Sequence, residues 1–300
     1  MQGTYLITGG EGFIGRNIKQ YLKKNSCNAL TLDIDGKPDY KMSVTDFNSL
    51  MDIDEEFDGI FHLAATTSPP QFEDDPIGGF HVNANGTLNI LEYAKRKKIR
   101  RVVLASSSAT YGNSESISRE EIIPQTYSNL YPITKVIDEY LARYYTVRKE
   151  VECIPLRYFN TFGIGENSKA QYASVIWRFI TDLQKGDIPV IFGDGKQSRD
   201  FTYVEDTARA SVLAMQKGKP GEAYNVGTGI TTDFNTIYNA VAEEMHSKIQ
   251  AKHIPNPLKN YQYFTQADIT KAKKDLGFEP EFNLRSGIRK MIHASETKSI

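Results

Sequence analysis

Tyr131 and Lys135 stand four residues apart. On a helix that spacing puts both side chains on one face. A phenol ordinarily ionises near pH ~10 and is a poor base at neutrality. A neighbouring ammonium favours the phenolate, and a phenol so placed can accept a proton from a reacting hydroxyl. Pro132 fixes where this happens, because proline is tolerated only in a first helical turn; Tyr131 must lie at the helix start or just before it. Upstream, Ala105-Ser106-Ser107-Ser108-Ala109-Thr110-Tyr111-Gly112 crowds hydroxyls into one turn. Each feature alone is commonplace, and serine-rich turns are usually structural. Their succession is what points to proton transfer.

A second cluster opens the chain: Thr8-Gly9-Gly10-Glu11-Gly12-Phe13-Ile14-Gly15. It follows a short apolar run and precedes an amphipathic stretch. Gly9 permits a tight turn, Gly12 lets backbone approach a pyrophosphate, and Gly15 lets helix and strand pack closely. The helix beyond would aim its free N–H groups at the phosphates. Asp33, with Asp35 as a rival, stands where an acid would bond an adenosine ribose. An acid there repels a 2′-phosphate, and no Arg or Lys lies in residues 9–12 or 32–36. The expected cofactor is therefore NAD rather than NADP.

These groups need a scaffold that gathers loops at one edge. Apolar runs at 5–8, 29–33, 59–65, 101–105 and 151–156 predict strands, and helical spacing at 13–22, 79–98 and 134–149 predicts helices between them. Strands alternating with helices imply an α/β protein with a doubly wound parallel sheet, whose ligand sits at the carboxyl ends of the strands. After about Phe159, glycine and proline become frequent. The expected organisation is a dinucleotide-binding domain over 1–160 and a smaller substrate-binding lobe over 161–300, with some segments returning to the large sheet.

Composition narrows the classes. The chain has 300 residues, 36 Lys and Arg against 37 Asp and Glu, and a net charge of −1. No basic surplus draws it to nucleic acid. No apolar run approaches the ~18 residues that span a bilayer, and no leader is visible, so a cytoplasmic protein without a membrane partner is expected. Cys27 and Cys153 read as buried and free rather than bridged. The histidines His62, His81, His246, His253 and His293 show no zinc spacing; His62 reads as a satisfied core residue. No metal is expected.

Taken together, these motifs resemble the extended short-chain dehydrogenase/reductase family, the NAD-dependent sugar epimerases and dehydratases, over nearly the whole chain. The glycine signature is similar to residues 8–15, with Phe13 and Ile14 in the cofactor turn. His62-Leu63-Ala64-Ala65 is similar to the family's next strand motif, and Asn83 to its structural asparagine. Leu156-Arg157-Tyr158-Phe159-Asn160 resembles its fifth-strand signature, implying Tyr158 beside the cofactor and Asn160 on the sugar nucleotide. Arg199-Asp200-Phe201-Thr202-Tyr203-Val204-Glu205-Asp206 resembles the segment whose arginine grips the diphosphate. The resemblance implies a Rossmann-type fold, Ser107, Tyr131 and Lys135 as catalytic residues, and Ser107 and Ser108 against the substrate.

Within the family, dehydratases carry Asp-Glu just after the active hydroxyl, and decarboxylases keep the Glu. Here those positions are Ser108 and Ala109, neither able to carry protons in that way. The resemblance therefore implies 4-epimerisation of a nucleotide-diphosphate sugar, with a UDP-hexose expected. A dehydratase or 4-ketoreductase on the same scaffold, or a non-catalytic NAD-binding regulator, are the alternatives. Some positions depart from the pattern. Gly163-Ile164-Gly165 replaces Gly-Pro, Pro132 replaces a small residue, and a second diphosphate arginine is missing, with Lys259 the cation near its place. Thr265 stands where a bulky Tyr narrows the epimerase pocket, so N-acetylhexosamines are expected to fit. The family often dimerises through the helices at 79–98 and 131–145, and a homodimer is expected, with Leu141, Tyr144 and Tyr145 as candidate contacts.

Overall fold

The computed structural model describes residues 2–67, 69–122, 124, 126–167, 172–257 and 261–296. Its large sheet contains β1 (Thr4–Thr8), β2 (Asn28–Asp33), β3 (Tyr40–Lys41), β4 (Gly59–His62), β5 (Arg101–Ser107) and β6 (Glu152–Tyr158). A smaller part of the chain adds β7 (Asn160–Phe162), β8 (Val190–Phe192) and β9 (Ser198–Tyr203). Then β10 (Tyr224–Val226) returns to the large sheet, followed by β11 (Thr231–Asp233) and β12 (Lys252–Ile254). The large sheet has seven strands in the order β3-β2-β1-β4-β5-β6-β10, every pairing parallel. The order reverses direction between β1 and β4, which opens a crevice at their carboxyl ends.

The helices are α1 (Phe13–Lys24), α2 (Phe47–Met51), α3 (Pro69–Asp74), α4 (Pro76–Phe80), α5 (Gly86–Arg96), α6 (Leu130–Lys149), α7 (Val175–Lys185), α8 (Val204–Lys217), α9 (Phe234–Glu244), α10 (Thr270–Leu276) and α11 (Leu284–Glu296). Successive strand residues point to opposite faces, so both faces are apolar. Tyr5, Ile7, Phe61 and Val103 pack with Ile18 of α1 and Met215 of α8. Leu6, Ile60, Val102 and Leu104 pack with Ile90 of α5 and Ala142 of α6. Helices thus cover both faces, a doubly wound Rossmann-type architecture. A third core joins Phe179, Tyr203, Ile237 and Ile288 around the three-stranded sheet β11-β9-β7.

The structure departs from the sequence reading at several boundaries. The strand expected over 59–65 ends at His62, leaving 63–65 as loop. The short β3 was not foreseen. The helix expected over 79–98 is broken: α4 ends at Phe80, a π-helical turn spans His81–Asn85, and α5 starts at Gly86. The helix carrying Tyr131 begins at Leu130, not at residue 134. Cys27 and Cys153 are buried and not joined by a disulfide. Among the described residues, no helix is long and apolar enough to cross a membrane, and no group of three or more His, Cys, Asp or Glu could hold a metal.

The glycine turn depends on missing side chains. Gly9 has φ +66°, and a Cβ there would lie 2.7 Å from the Ala64 nitrogen; one on Gly15 would lie 2.4 Å from the Gly9 oxygen. Backbone cannot yield as a flexible side chain can, so overpacking should cost ~1–3 kcal/mol. Gly15→Ala is expected to lower the urea midpoint of unfolding by a corresponding amount. An unchanged midpoint would show that the close approach of α1 to the turn contributes nothing.

Candidate active site

The glycine turn is built for an anion. The Gly9 N–H donates to the Leu32 carbonyl at 2.8 Å, and Gly12 N–H donates to Gly9 O at 3.1 Å. Helix α1 then starts with no capping side chain and no acid in its first turn, so its positive end meets no counter-charge there. At the end of β2, Asp33 accepts from the Glu11 N–H at 2.9 Å and from the N–H groups of Ile34 (2.8 Å) and Asp35 (3.2 Å). Asp33, not Asp35, is therefore the acid fixed against the turn. Leu63 N–H donates to Thr8 O, and Ala64 N–H to Thr8 Oγ1, which lays the 63–65 loop across Gly9. An uncapped helix start after the glycine turn and an acid at the end of β2 fit NAD.

Asn83 occupies the π-helical turn and is fully buried. Its amide donates to Thr66 O (3.0 Å) and Thr134 Oγ1 (2.9 Å), and its carbonyl accepts from Thr66 N–H at 2.8 Å. Both its donors are spent in fastening the loop after β4 to α6. Tyr158 lies in the large core with its hydroxyl 2.8 Å from Ser211 Oγ on α8.

The residues expected to transfer protons lie at the end of β5 and the start of α6, which pack together. Asn129 caps α6 by accepting from the Tyr131 N–H at 3.1 Å. The Thr134 hydroxyl donates to Tyr131 O at 2.7 Å, and the Tyr131 ring packs 6.1 Å from that of Phe72. Lys135 is buried, with Nζ 3.1 Å from Asp138 Oδ2. Burial alone would lower its pKa; the charges of Asp138 and then Tyr131 outweigh burial and raise it. Ser107 ends β5 and caps the 3-10 turn Ser108–Tyr111, its Oγ accepting from Ala109 N–H at 3.1 Å. Its own proton stays free to donate, since a hydroxyl donates once and accepts twice. Ser106 turns the other way, donating to Glu139 at 2.5 Å. Glu139 in turn holds Arg157 through two hydrogen bonds of 2.9 and 2.7 Å.

Of the substrate residues expected from sequence, Asn160 and Arg199 lie on β7 and β9 of the small sheet, with Thr265 beside them. Thr265 Oγ1 donates to Asn160 Oδ1 at 3.3 Å and accepts from Asp200 N–H at 3.1 Å. Beside them Arg199 is 6% exposed. It donates to the carbonyls of Ser198 and Gln262, and its guanidinium lies 5.3 Å from the Tyr261 ring. Among the described residues no carboxylate pairs with it. Burial lowers its pKa, and a buried guanidinium lacking an acid partner suits a diphosphate. Ser108 opens the 3-10 turn, half-buried. Lys259 lies outside the described residues.

Sequence reasoning missed the supports. His62 Nδ1 is 2.7 Å from Thr8 Oγ1 and Nε2 is 3.0 Å from Thr87 Oγ1, linking β1, β4 and α5 through a buried ring. Asp138 and Glu139 were also passed over, although positions three and four beyond Lys135 are its helical neighbours.

A profile of the NAD dependent epimerase/dehydratase family matches residues 5–227. The chain belongs to that family, and its cofactor is NAD. It is similar to a Methanocaldococcus jannaschii protein provisionally described as a UDP-glucose 4-epimerase, with 31% identity covering 96% of this chain and 97% of the relative. It is also 30% identical to a UDP-N-acetyl-alpha-D-glucosaminuronate decarboxylase of Bacillus cytotoxicus, over 97% of each chain. Among solved structures, a UDP-N-acetylglucosamine 4-epimerase of Methanobrevibacter ruminantium in complex with UDP-N-acetylmuramic acid superposes with a TM-score of 0.92, at 26% identity over 99% of each chain.

Burial, and then the Lys135 charge, pushes the His62 pKa down to about 3. Its folded value lies below the unfolded ~6.5, so the stability from neutral His62 is complete above that pH and is lost as pH falls toward 3. The slope reaches at most about 1.4 kcal/mol per pH unit. His62→Gln should therefore show a shallower loss of urea stability than wild type between pH 6.5 and 4. Parallel losses would mean that His62 titrates normally.

Proposed function

We propose that the protein is an NAD-dependent 4-epimerase of UDP-hexoses, N-acetylated forms included, working in the cytoplasm. The observation that carries this reading is the content of the serine turn. Ser107 keeps a free donor there, while Ser108 and Ala109 offer no acid or base for eliminating water or assisting decarboxylation. The carboxylate that does bond into this turn, Glu139, is committed to Arg157.

Residues 1–160 bind the dinucleotide through Gly9, Gly12, Phe13, Ile14, Gly15, Asp33 and the 63–65 loop; residues 161–300 bind the sugar nucleotide. Arg199 neutralises the diphosphate, and Asn160 and Thr265 border the sugar. Tyr131 removes the proton from the sugar 4-OH, Ser107 donates a hydrogen bond to the same oxygen, and Lys135 supplies positive charge beside them. Held at the glycine turn and Asp33, NAD would supply reversible hydride acceptance at C4 of the sugar. Tyr131 then gives the proton back. No reductant is consumed.

The protein also acts as a homodimer in this reading. Tyr140, Tyr144 and Val147 are 63%, 50% and 69% exposed on the outer side of α6. Tyr145, one of the contacts expected from sequence, is instead buried with its hydroxyl on Glu92, and Leu141 is half-buried. Light scattering should give a dimer mass for wild type and a monomer mass for a Tyr144→Asp, Val147→Asp double variant; a monomeric wild type would remove the proposal.

Incubation with UDP-, dTDP- and GDP-sugars, without added reductant, should interconvert C4 epimers of UDP-glucose and UDP-N-acetylglucosamine, read by NMR. An inert N-acetyl substrate would reject the role of Thr265. Tyr131→Phe should lose ~10²–10⁴ of kcat while retaining NAD. If it kept full activity, proton transfer by Tyr131 would be wrong.

A further inference from the structure

Lys135 has a partner that the reaction as drawn does not use. The Asp138 carboxylate lies one turn further along α6, on the side of Lys135 away from Tyr131. Both side chains are inside the protein, at 6% and 3% exposure, with 3.1 Å between Nζ and Oδ2. Thr87 is the other hydrogen-bonding group acting on the Asp138 carboxyl. A buried ion pair is poor material for stability, because desolvation can outweigh its attraction. A buried ammonium without an acid, however, tends to discard its proton. The arrangement makes sense if the charge of Lys135 is what must be preserved.

We propose that Asp138 is a positioning residue for the reaction: the buried counter-ion that keeps the Lys135 ammonium charged and in place beside Tyr131. This rests on the reading of Tyr131 and Lys135 as the base and its ammonium.

The surroundings leave this task to Asp138. On α6 itself the other ionisable neighbours are Tyr131 and Glu139, and Glu139 is held by Arg157 of β6. Tyr111, from the 3-10 turn, lies under the Arg157 guanidinium, 4.8 Å from its ring centroid. From β4 comes His62, whose ring is neutral and bonded to Thr8 and Thr87. On α5, Glu92 is engaged with Arg96 and Tyr145. His81 of the π-helical turn faces Asn85. Arg101 of β5 is paired with Glu152. Glu73 and Asp74 of α3, and Asp75 before α4, are exposed to solvent. Burial pushes the Asp138 carboxyl upward, with Lys135 and then Thr87 opposing.

The test uses the full chain with NAD bound and carbon-13 at lysine Cε. In wild type the Lys135 signal should stay in its protonated position to the alkaline limit of folding. In Asp138→Asn, which keeps the shape and removes the charge, it should titrate at least about one pH unit lower. The alkaline limb of kcat should move to lower pH by a matching amount, and Asp138→Glu should return it toward wild type. An unmoved Lys135 titration in Asp138→Asn overturns the proposal. So does a moved titration with an unmoved alkaline limb, since Asp138 would then not act on the reaction. Failure of wild type to turn over any nucleotide sugar would instead strike the proposed activity, and the spectroscopic arm would still decide the role of Asp138.

Discussion

An ammonium enclosed in the protein interior is the constraint on which the rest depends. Lys135 cannot retain its charge there without compensation, and Asp138, three residues further along the same helix, supplies it at 3.1 Å. The same helix presents Tyr131 from its first turn. The Asn129 cap, the Thr134 bond to Tyr131 O and the Asn83 amide hold that turn at the carboxyl end of the sheet. Any slack in these supports would move phenol and ammonium together, away from the serine turn.

The chain reverses its winding between β1 and β4, and a crevice opens there at the carboxyl ends of the strands. The serine turn ends β5 and Tyr131 starts α6, two elements packed against each other. His62 joins the two regions through neutral hydrogen bonds to Thr8, next to the glycine turn, and to Thr87 on α5. A charged ring in that place would repel Lys135. On the small sheet, Asn160 accepts from Thr265, next to Arg199.

What the sequence disclosed and what it withheld follow from range. The glycine turn, Asp33, the serine turn and the Tyr131–Lys135 pair are local patterns, each confined to one turn or one strand end, and the structure puts each at the expected edge of the sheet. The π-helical turn at His81–Asn85 was hidden because it is imposed by distant bonds, those of Asn83 to Thr66 and Thr134. The return of β10 depends on pairing Tyr224–Val226 with Leu156–Tyr158, which a strand of three residues does not announce. Asp138 and Glu139 looked like surface charges on an amphipathic helix. Only the packing of α6 on β5 and α5 reveals one as the counter-ion of Lys135 and the other as the partner of Arg157.

The central claim is that hydride leaves C4 of a bound sugar and returns to that same carbon. The most direct measurement follows a deuterium label at C4 of a UDP-hexose that the enzyme turns over, in ordinary water and without added cofactor. The account predicts a C4 epimer that keeps the deuterium at C4, with no net reduction of NAD. An epimer whose label has been lost to water would contradict it, because inversion would then have proceeded by proton exchange at carbon rather than by hydride transfer.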